Sequence, residues 1–324
     1  MPPGTSAKTD IGIPELVDRA RRGDPRAVAR LISQVESGSP RLRELLAALT
    51  PFAGSAYVVG LTGSPGVGKS TATNALVGEY RARGRRVGVL AVDPSSPFSG
   101  GALLGDRVRM RDHATDPEVF IRSMASRGHL GGLAAATPQA ARVLEAAGCE
   151  VILIETVGVG QSEIEVASAA DTTVVLLAPG MGDGIQAAKA GILEIGDVYV
   201  VNKADRDGAE ATARELGHML ALGERRNPGD WRPPIIKTVA ARGEGMPELV
   251  EALEKHRAHL TETGLLAGRR RARAAAEIEA IALGTLRSRY GSVHGGPDTP
   301  LRRLADRVAE GELDPFTAAD ELLA

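Results

Sequence analysis

Apolar residues recur at helical spacing in the N-terminal part of the chain. Val28, Leu31, Ile32 and Val35 stand at i, i+3, i+4 and i+7, and Leu42, Leu45, Leu46 and Leu49 repeat the arrangement. Asp24 followed by Pro25 supplies a start signal for the first of these helices, an N-cap acid ahead of a proline at the first helical position. From Ala56 the texture changes to short β-branched runs alternating with helical stretches. The runs are 57–62 (YVVGLT), 87–92 (VGVLAV), 118–122 (EVFIR), 150–156 (EVILIET), 172–178 (TTVVLLA), 198–202 (VYVVN) and 235–239 (IIKTV). Such alternation predicts right-handed βαβ units and an α/β fold with a mostly parallel sheet covered on both faces. The alternation ends near His256. A helical stretch over 269–290 and two short helices over 301–324 follow, separated by a Gly/Pro break at 295–297. The expected organisation is a disordered tail over 1–12, N-terminal helices over 13–50, an α/β domain over 51–258 and a helical arm over 259–324.

Composition narrows the function classes. Of the 324 residues, 43% are hydrophobic and 25% charged, the range of ordinary globular domains. Runs such as Val151–Ile154 and Val174–Ala178 fall far short of the ~18 apolar residues of a membrane span and read as buried strands. The first ten residues, MPPGTSAKTD, have no apolar core, so no secretory leader and a cytoplasmic location are expected. A single cysteine, Cys149, excludes an internal disulfide and any multi-cysteine metal site; it reads as a small residue beside a buried strand. With 39 basic and 41 acidic residues, the net charge of −2 implies no pull toward nucleic acid or membrane. The run Arg269–Arg271 with Arg273 lacks interleaved aromatics and is followed by acids, as on a solvated or interface helix. Only six of the basic residues are lysines, and two of those six, Lys69 and Lys203, fall inside the motifs below.

Ligands of parallel sheets sit beyond the C-terminal ends of the strands, and the chemistry-bearing motifs fall there. Gly63–Ser70, GSPGVGKS, fits G-x-x-x-x-G-K-[ST] between a predicted strand and a predicted helix. Gly63, Ser64, Pro65, Gly66, Val67 and Gly68 let the backbone wrap a polyphosphate with its N–H groups inward, and Thr71 continues into the helix. Lys69 is placed for the β- and γ-phosphates, and Ser70 for Mg²⁺. After a later strand stands NKAD, residues 202–205. The Asp205 carboxylate matches the N1–H and exocyclic amine of guanine, a donor pair that adenine lacks. Asn202 supports the loop, and the stem of Lys203 covers the base. Val239, Ala240 and Ala241 follow the last strand and offer backbone N–H groups to the base. GTP rather than ATP is therefore expected.

Two further segments concern the γ-phosphate. In ETVGVGQSE, residues 155–163, Glu155 is placed for the metal shell and the Gly158 N–H for the phosphate. Enzymes that orient the attacking water with a glutamine place it directly after this glycine; here the position is Val159, and Gln161 is offset. Slow hydrolysis that waits for a partner is the expectation. In 91–110, Asp93 and Asp106 are candidate Mg²⁺ or water ligands, and Arg107 and Arg109 can neutralise phosphate charge or remain solvated loop residues. A loop over 121–132 follows a strand and carries Arg127 between small residues; in 179–197, Gly182, Asp183 and Gly184 read as a further mobile segment near the nucleotide, and Lys189 as a partner of a switch acid or of a surface ion pair.

The strings VDPSSPFSGGALLGD, RGHLGG, ETVGVGQSE and PGMGDGIQAAKAGILEIGDVYVVNKAD resemble the MeaB/ArgK family of P-loop GTPases over nearly the whole chain. The resemblance implies a Mg²⁺-dependent, partner-stimulated GTPase that converts GTP and water to GDP and phosphate. It implies a chaperone of an adenosylcobalamin-dependent acyl-CoA mutase, usually methylmalonyl-CoA mutase, that gates cofactor loading and protects or reactivates the enzyme. A homodimer joined through the C-terminal helical arm is also implied. Carried over by motif, the metal shell falls on Ser70, Asp93, Asp106 and Glu155, and a partner-sensing switch on 182–186. The chain departs from the family at Arg107-Val108-Arg109, at Thr238-Val239-Ala240 and at Asp183-Gly184, where a lysine, a serine and a glutamate respectively are frequent. A different reading, which the family has also carried, is a phosphotransferase acting on transport of lysine, arginine and ornithine; no kinase catalytic-loop signature is present. A metal-insertion GTPase needs clustered Cys or His ligands, and one cysteine with six scattered histidines argues against it.

Overall fold

The computed structural model describes residues 11–93, 111–113, 115–125, 136–156, 162–180, 192–222, 229–290 and 298–324. Seven strands form one parallel sheet in the order β3-β2-β4-β1-β5-β6-β7. They are β1 (Tyr57–Thr62), β2 (Val87–Asp93), β3 (Val119–Ala125), β4 (Val151–Thr156), β5 (Thr172–Leu177), β6 (Val198–Asn202) and β7 (Ile235–Thr238). Each matches a run read from the sequence. The main difference is β3, which continues three residues beyond Arg122, because every residue from Val87 to Asp93 of β2 finds a partner between Val119 and Ala125.

Before the sheet come α1 (Ile13–Arg21), α2 (Pro25–Glu36) and α3 (Leu42–Leu49). Inside it run α4 (Lys69–Ala82), α5 (Thr137–Ala146), α6 (Ser162–Ala169), α7 (Ile192–Ile195), α8 (Ala209–Leu222) and α9 (Met246–Glu262). Then follow α10 (Leu265–Tyr290), α11 (Pro300–Ala309) and α12 (Pro315–Leu323). Helix α1 is an addition to the two N-terminal helices that the pattern singled out. Its Ile13, Leu16, Val17 and Ala20 are buried at i, i+3, i+4 and i+7. A nine-residue helix is marginal alone, and packing against α2 and α3 holds it. The helix expected from Arg269 starts four residues earlier, at Leu265.

Strand periodicity divides the core. Tyr57, Val59 and Leu61 point to the face covered by α4 and α9, while Val58, Ile152 and Ile154 point to the opposite face. On that opposite face α5 and α6 join the sheet to α1–α3 in one apolar cluster, so the N-terminal helices share a core with the sheet. A smaller cluster packs Ala209 and Leu216 of α8 on β5 and β6. Strands β1, β4, β5 and β6 are buried at every position, as expected of a parallel sheet covered on both faces.

The chain divides into two compact units, Met1–Leu266 and Ala267–Ala324. In the second, α11 and α12 form a helical hairpin in which Arg307 pairs with Glu321 at 2.7 Å. Among the described residues no helix is long and apolar enough to cross a membrane.

Candidate nucleotide site

The loop 63–68 leaves the end of central strand β1 and enters α4, whose first residue is Lys69. The helix therefore points its positive N-terminal end into the loop. Only glycine suits two of the loop positions. Gly63 has φ +140°, and a Cβ there would stand 2.2 Å from the Leu176 carbonyl oxygen of β5. Gly68 has φ +97°, and its Cβ would meet the Asn202 amide nitrogen at 2.5 Å. The lack of a side chain at Gly68 lets the glycine loop lie against Asn202 of the NKAD segment, 134 residues away in sequence.

Lys69 and Ser70 are buried at the start of α4. Lys69 Nζ donates to the carbonyls of Gly63 at 2.6 Å and Ser64 at 3.1 Å. An ammonium gathered over the loop by backbone oxygens is placed to turn to a polyphosphate entering the same loop. Ser70 Oγ donates to Glu155 Oε1 at 2.5 Å. Glu155 lies in β4, which pairs directly with β1, and it is also buried. A hydroxyl and a carboxylate converging beside a phosphate loop are the hard oxygen donors that Mg²⁺ takes together with phosphate oxygens and water. Among the described residues there is no group of three or more His, Cys, Asp or Glu placed to hold a metal. The Ser70 hydroxyl and Glu155 carboxylate would fit a Mg²⁺ that takes further ligands from nucleotide and water. Asp93 ends β2, beside β4, at the same edge of the sheet. Asp106 and Gly158 lie outside the described residues, as do Arg107, Arg109, Arg127, Val159, Gln161, Gly182–Gln186 and Lys189.

The NKAD segment is tied down from two sides. Asn202 is the last residue of β6 and 2% exposed, so its amide must find partners in the protein. Its Nδ2 donates to the Val67 carbonyl at 2.8 Å, and its Oδ1 accepts from Thr238 Oγ1 at 3.0 Å and from the Ala240 N–H at 3.1 Å. One side chain therefore joins the ends of β6 and β7 to the glycine loop. Lys203 adopts φ +57°, the only non-glycine residue with positive φ among those described, and its Nζ donates to the Gly66 carbonyl at 2.6 Å. The Ala204 N–H donates to the Thr238 carbonyl at 3.0 Å, pinning the turn that presents Asp205. Asp205 is exposed, and Arg242 Nη1 donates to its Oδ2 at 3.2 Å. Val239 and Ala240 are buried behind this turn, and Ala241 is exposed beside it.

Gly63–Thr71, Glu155, Asn202, Lys203, Asp205 and Val239–Ala241 thus gather at one edge of the sheet. Sequence reading missed two contributors. Thr238 stood out only as part of a departure from a family pattern, yet its hydroxyl orients Asn202. Arg242 carried no motif signal beyond being a cation shortly after a strand.

A glycine loop between a central parallel strand and a helix, facing an NKAD turn across the sheet edge, defines a P-loop NTPase of the GTPase class. The chain belongs to the MeaB family: the model described as "Methylmalonyl Co-A mutase-associated GTPase MeaB" matches residues 28–293. A Pyrococcus abyssi protein named as a GTPase is 48% identical over 313 residues, 96% of each chain. The mouse protein "Methylmalonic aciduria type A homolog, mitochondrial" is 34% identical over 337 residues, 99% of this chain and 81% of that one. A crystal structure described as an "LAO/AO transport system kinase" superposes with a TM-score of 0.71 at 28% identity, covering 98% of each chain. The protein is accordingly a GTPase that binds guanine nucleotide.

Proposed function

We propose that this GTPase is a chaperone of an adenosylcobalamin-dependent acyl-CoA mutase, with methylmalonyl-CoA mutase the first partner to test. It would use GTP binding and hydrolysis to gate cofactor loading and to protect or reactivate the mutase. The observation that carries the reading is the match over 28–293 to a family described by its association with that mutase. A homodimer formed through the C-terminal helices and a cytoplasmic location belong to the same proposal.

In this reading the backbone N–H groups of the loop 63–68, other than at Pro65, which has none, and the N-terminus of α4 receive the phosphates, and Thr71 continues that cradle. Lys69 exchanges the Gly63 and Ser64 carbonyls for β- and γ-phosphate oxygens. Ser70 and Glu155 would hold Mg²⁺, with Asp93 and Asp106 as the further candidate ligands. Bound Mg²⁺ supplies charge neutralisation on the β- and γ-phosphates. Gly158 offers its N–H to the γ-phosphate. Asp205 accepts from the guanine N1–H and amine, Lys203 lies along the base, and Asn202 holds the turn 239–241 beside it; the Val239 N–H is bonded to the Glu244 carbonyl and the Ala240 N–H to Asn202 Oδ1, so the Ala241 N–H is the donor left to the base in place of the three expected.

GTP turnover by the full chain, alone and with increasing amounts of an adenosylcobalamin-dependent mutase from the same source, tests the proposal. The expected result is a slow basal rate that rises with mutase. No acceleration with any such mutase overturns the chaperone reading. The resemblance to a structure described as a transport system kinase favours a second reading, phosphotransfer to a component of basic amino-acid transport. Transfer of labelled γ-phosphate to such a protein rather than to water would establish it.

A further inference from the structure

Among the three NKAD side chains assigned to the base, Asp205 is the exposed one. Asn202 is held by three hydrogen bonds and Lys203 by the glycine loop, but Asp205 stands exposed on the turn that follows. Guanine recognition asks more of this side chain than of the others. Both carboxylate oxygens must lie in the plane of the base, spaced to accept from two neighbouring donors. A freely rotating exposed aspartate spends much of its time in other rotamers, and binding must then stop that rotation.

Arg242 restricts it. The guanidinium lies in the short 3₁₀ turn Ala240–Arg242 that follows β7. Its Nη1 reaches Asp205 Oδ2 at 3.2 Å, while Nε and Nη2 grip Glu244 Oε1 and Oε2 at 2.7 and 3.3 Å. Glu244 is itself placed by the backbone, since its carbonyl accepts from the Val239 N–H at 3.0 Å. The Arg242 N–H donates to the Val239 carbonyl at 2.8 Å. The arginine is therefore anchored at its backbone and at its fork, and one remaining arm touches the carboxylate from the β7 side. A planar fork with two fixed N–H groups holds its third direction, which a lysine at this place cannot do.

We propose that Arg242, braced by Glu244, is a positioning residue for base selection: it holds the Asp205 carboxylate in the orientation that reads guanine. The inference rests on the reading of Asp205 as the guanine acceptor. It adds that selectivity depends on a residue of the β7 turn that does not itself read the base. Exposed ion pairs are commonly worth little to folding, so the effect belongs in selectivity rather than in stability.

The test is equilibrium binding of GDP and of IDP, which lacks the exocyclic amine, to the full chain and to Arg242→Ala, Arg242→Lys, Glu244→Ala and Asp205→Ala. Arg242→Ala is expected to weaken GDP roughly three- to tenfold and IDP less than twofold, so that the GDP:IDP preference falls. Glu244→Ala should reproduce part of that fall, and Arg242→Lys should not restore the preference fully. An Arg242→Ala protein with the parental GDP:IDP ratio overturns the proposal, as does an equal loss for both nucleotides, which would mark a general disturbance of the turn. Asp205→Ala separates the two levels. If it lowers the ratio and Arg242→Ala does not, only the positioning role fails. If Asp205→Ala leaves the ratio unchanged, the guanine reading itself fails.

Discussion

Lys69 and Ser70 are neighbours at the start of α4, and their partners separate their roles. Lys69 Nζ donates to two carbonyls of the glycine loop, and in the proposed function it turns from them to the phosphates. Replacing it with alanine should weaken GTP binding roughly ten- to hundredfold, the worth of one or more hydrogen bonds to charged groups, and should abolish turnover at ordinary GTP concentrations. Nucleotide titration and phosphate release check this. Ser70 Oγ donates to the Glu155 carboxylate, the pair proposed to hold Mg²⁺, so its loss should appear as lost magnesium dependence. In Ser70→Ala, adding Mg²⁺ should raise GTP affinity less than in the parent protein, measured by titration with Mg²⁺ and with EDTA. Burial explains why Cys149 belongs to neither set: it pushes the thiol pKa up to about 12, which leaves the group protonated and inert near neutrality.

Among the elements, α2 shows how a short motif becomes measurable stability. The Asp24 carboxylate accepts from the N–H groups of Arg26 and Ala27 and is gripped by Arg19 at 2.9 and 2.6 Å. The Arg19 hydrogen bonds come first in holding its carboxyl below the usual carboxylate range, and the two helix N–H groups assist. Asp24→Ala should cost about 1 kcal/mol in chemical denaturation at neutral pH. The sign of the pH effect follows from the lowered pKa. A carboxylate whose folded pKa lies below its unfolded value of about 3.9 stabilises above that value and loses the contribution as pH falls through the folded one. The gap between parent and variant should therefore close in acid, below the unfolded pKa, and stay constant from neutrality down to it. The same helix joins the sheet edge: Arg122 of β3 pairs with Glu36 and bonds Ser33, so the N-terminal helices meet the edge strand.

For the whole molecule, the second unit exposes what the first buries. On α10, Ile278 is 68% exposed and Ile281 48%, with Leu283 and Leu286 also open to solvent. In the proposed homodimer these exposed apolar side chains are the surface that would be covered. Within the proposed homodimer, Ile278→Glu with Ile281→Glu should shift the chain toward monomer in sedimentation experiments while leaving the GTP affinity of the first unit intact. The first unit has a buried polar chain that no sequence pattern announced. Tyr57 Oη donates to Thr172 Oγ1 at 2.6 Å, Thr172 Oγ1 meets His256 Nδ1 at 2.8 Å, and Trp231 Nε1 donates to the Asp197 carbonyl at 2.7 Å beside the same histidine. Burial drives the Tyr57 hydroxyl well above its usual pKa, so it remains a donor throughout the working range.

By itself the sequence determined which segments became strands, that the sheet was parallel, where the glycine loop lay and which base the NKAD turn would prefer. These are local properties: periodicity of 2 or 3.6, β-branched runs, and residues whose spacing alone places them on one turn. Only the tertiary structure decided the strand order, which makes β4 rather than β2 the neighbour of β1 and so brings Glu155 within 2.5 Å of Ser70. It also decided that Asn202 would close on Val67 across 135 positions, and that α1–α3 would share the core of the sheet. Contacts of that kind depend on burying apolar faces that are far apart in the chain, and no local pattern carries the distance between them.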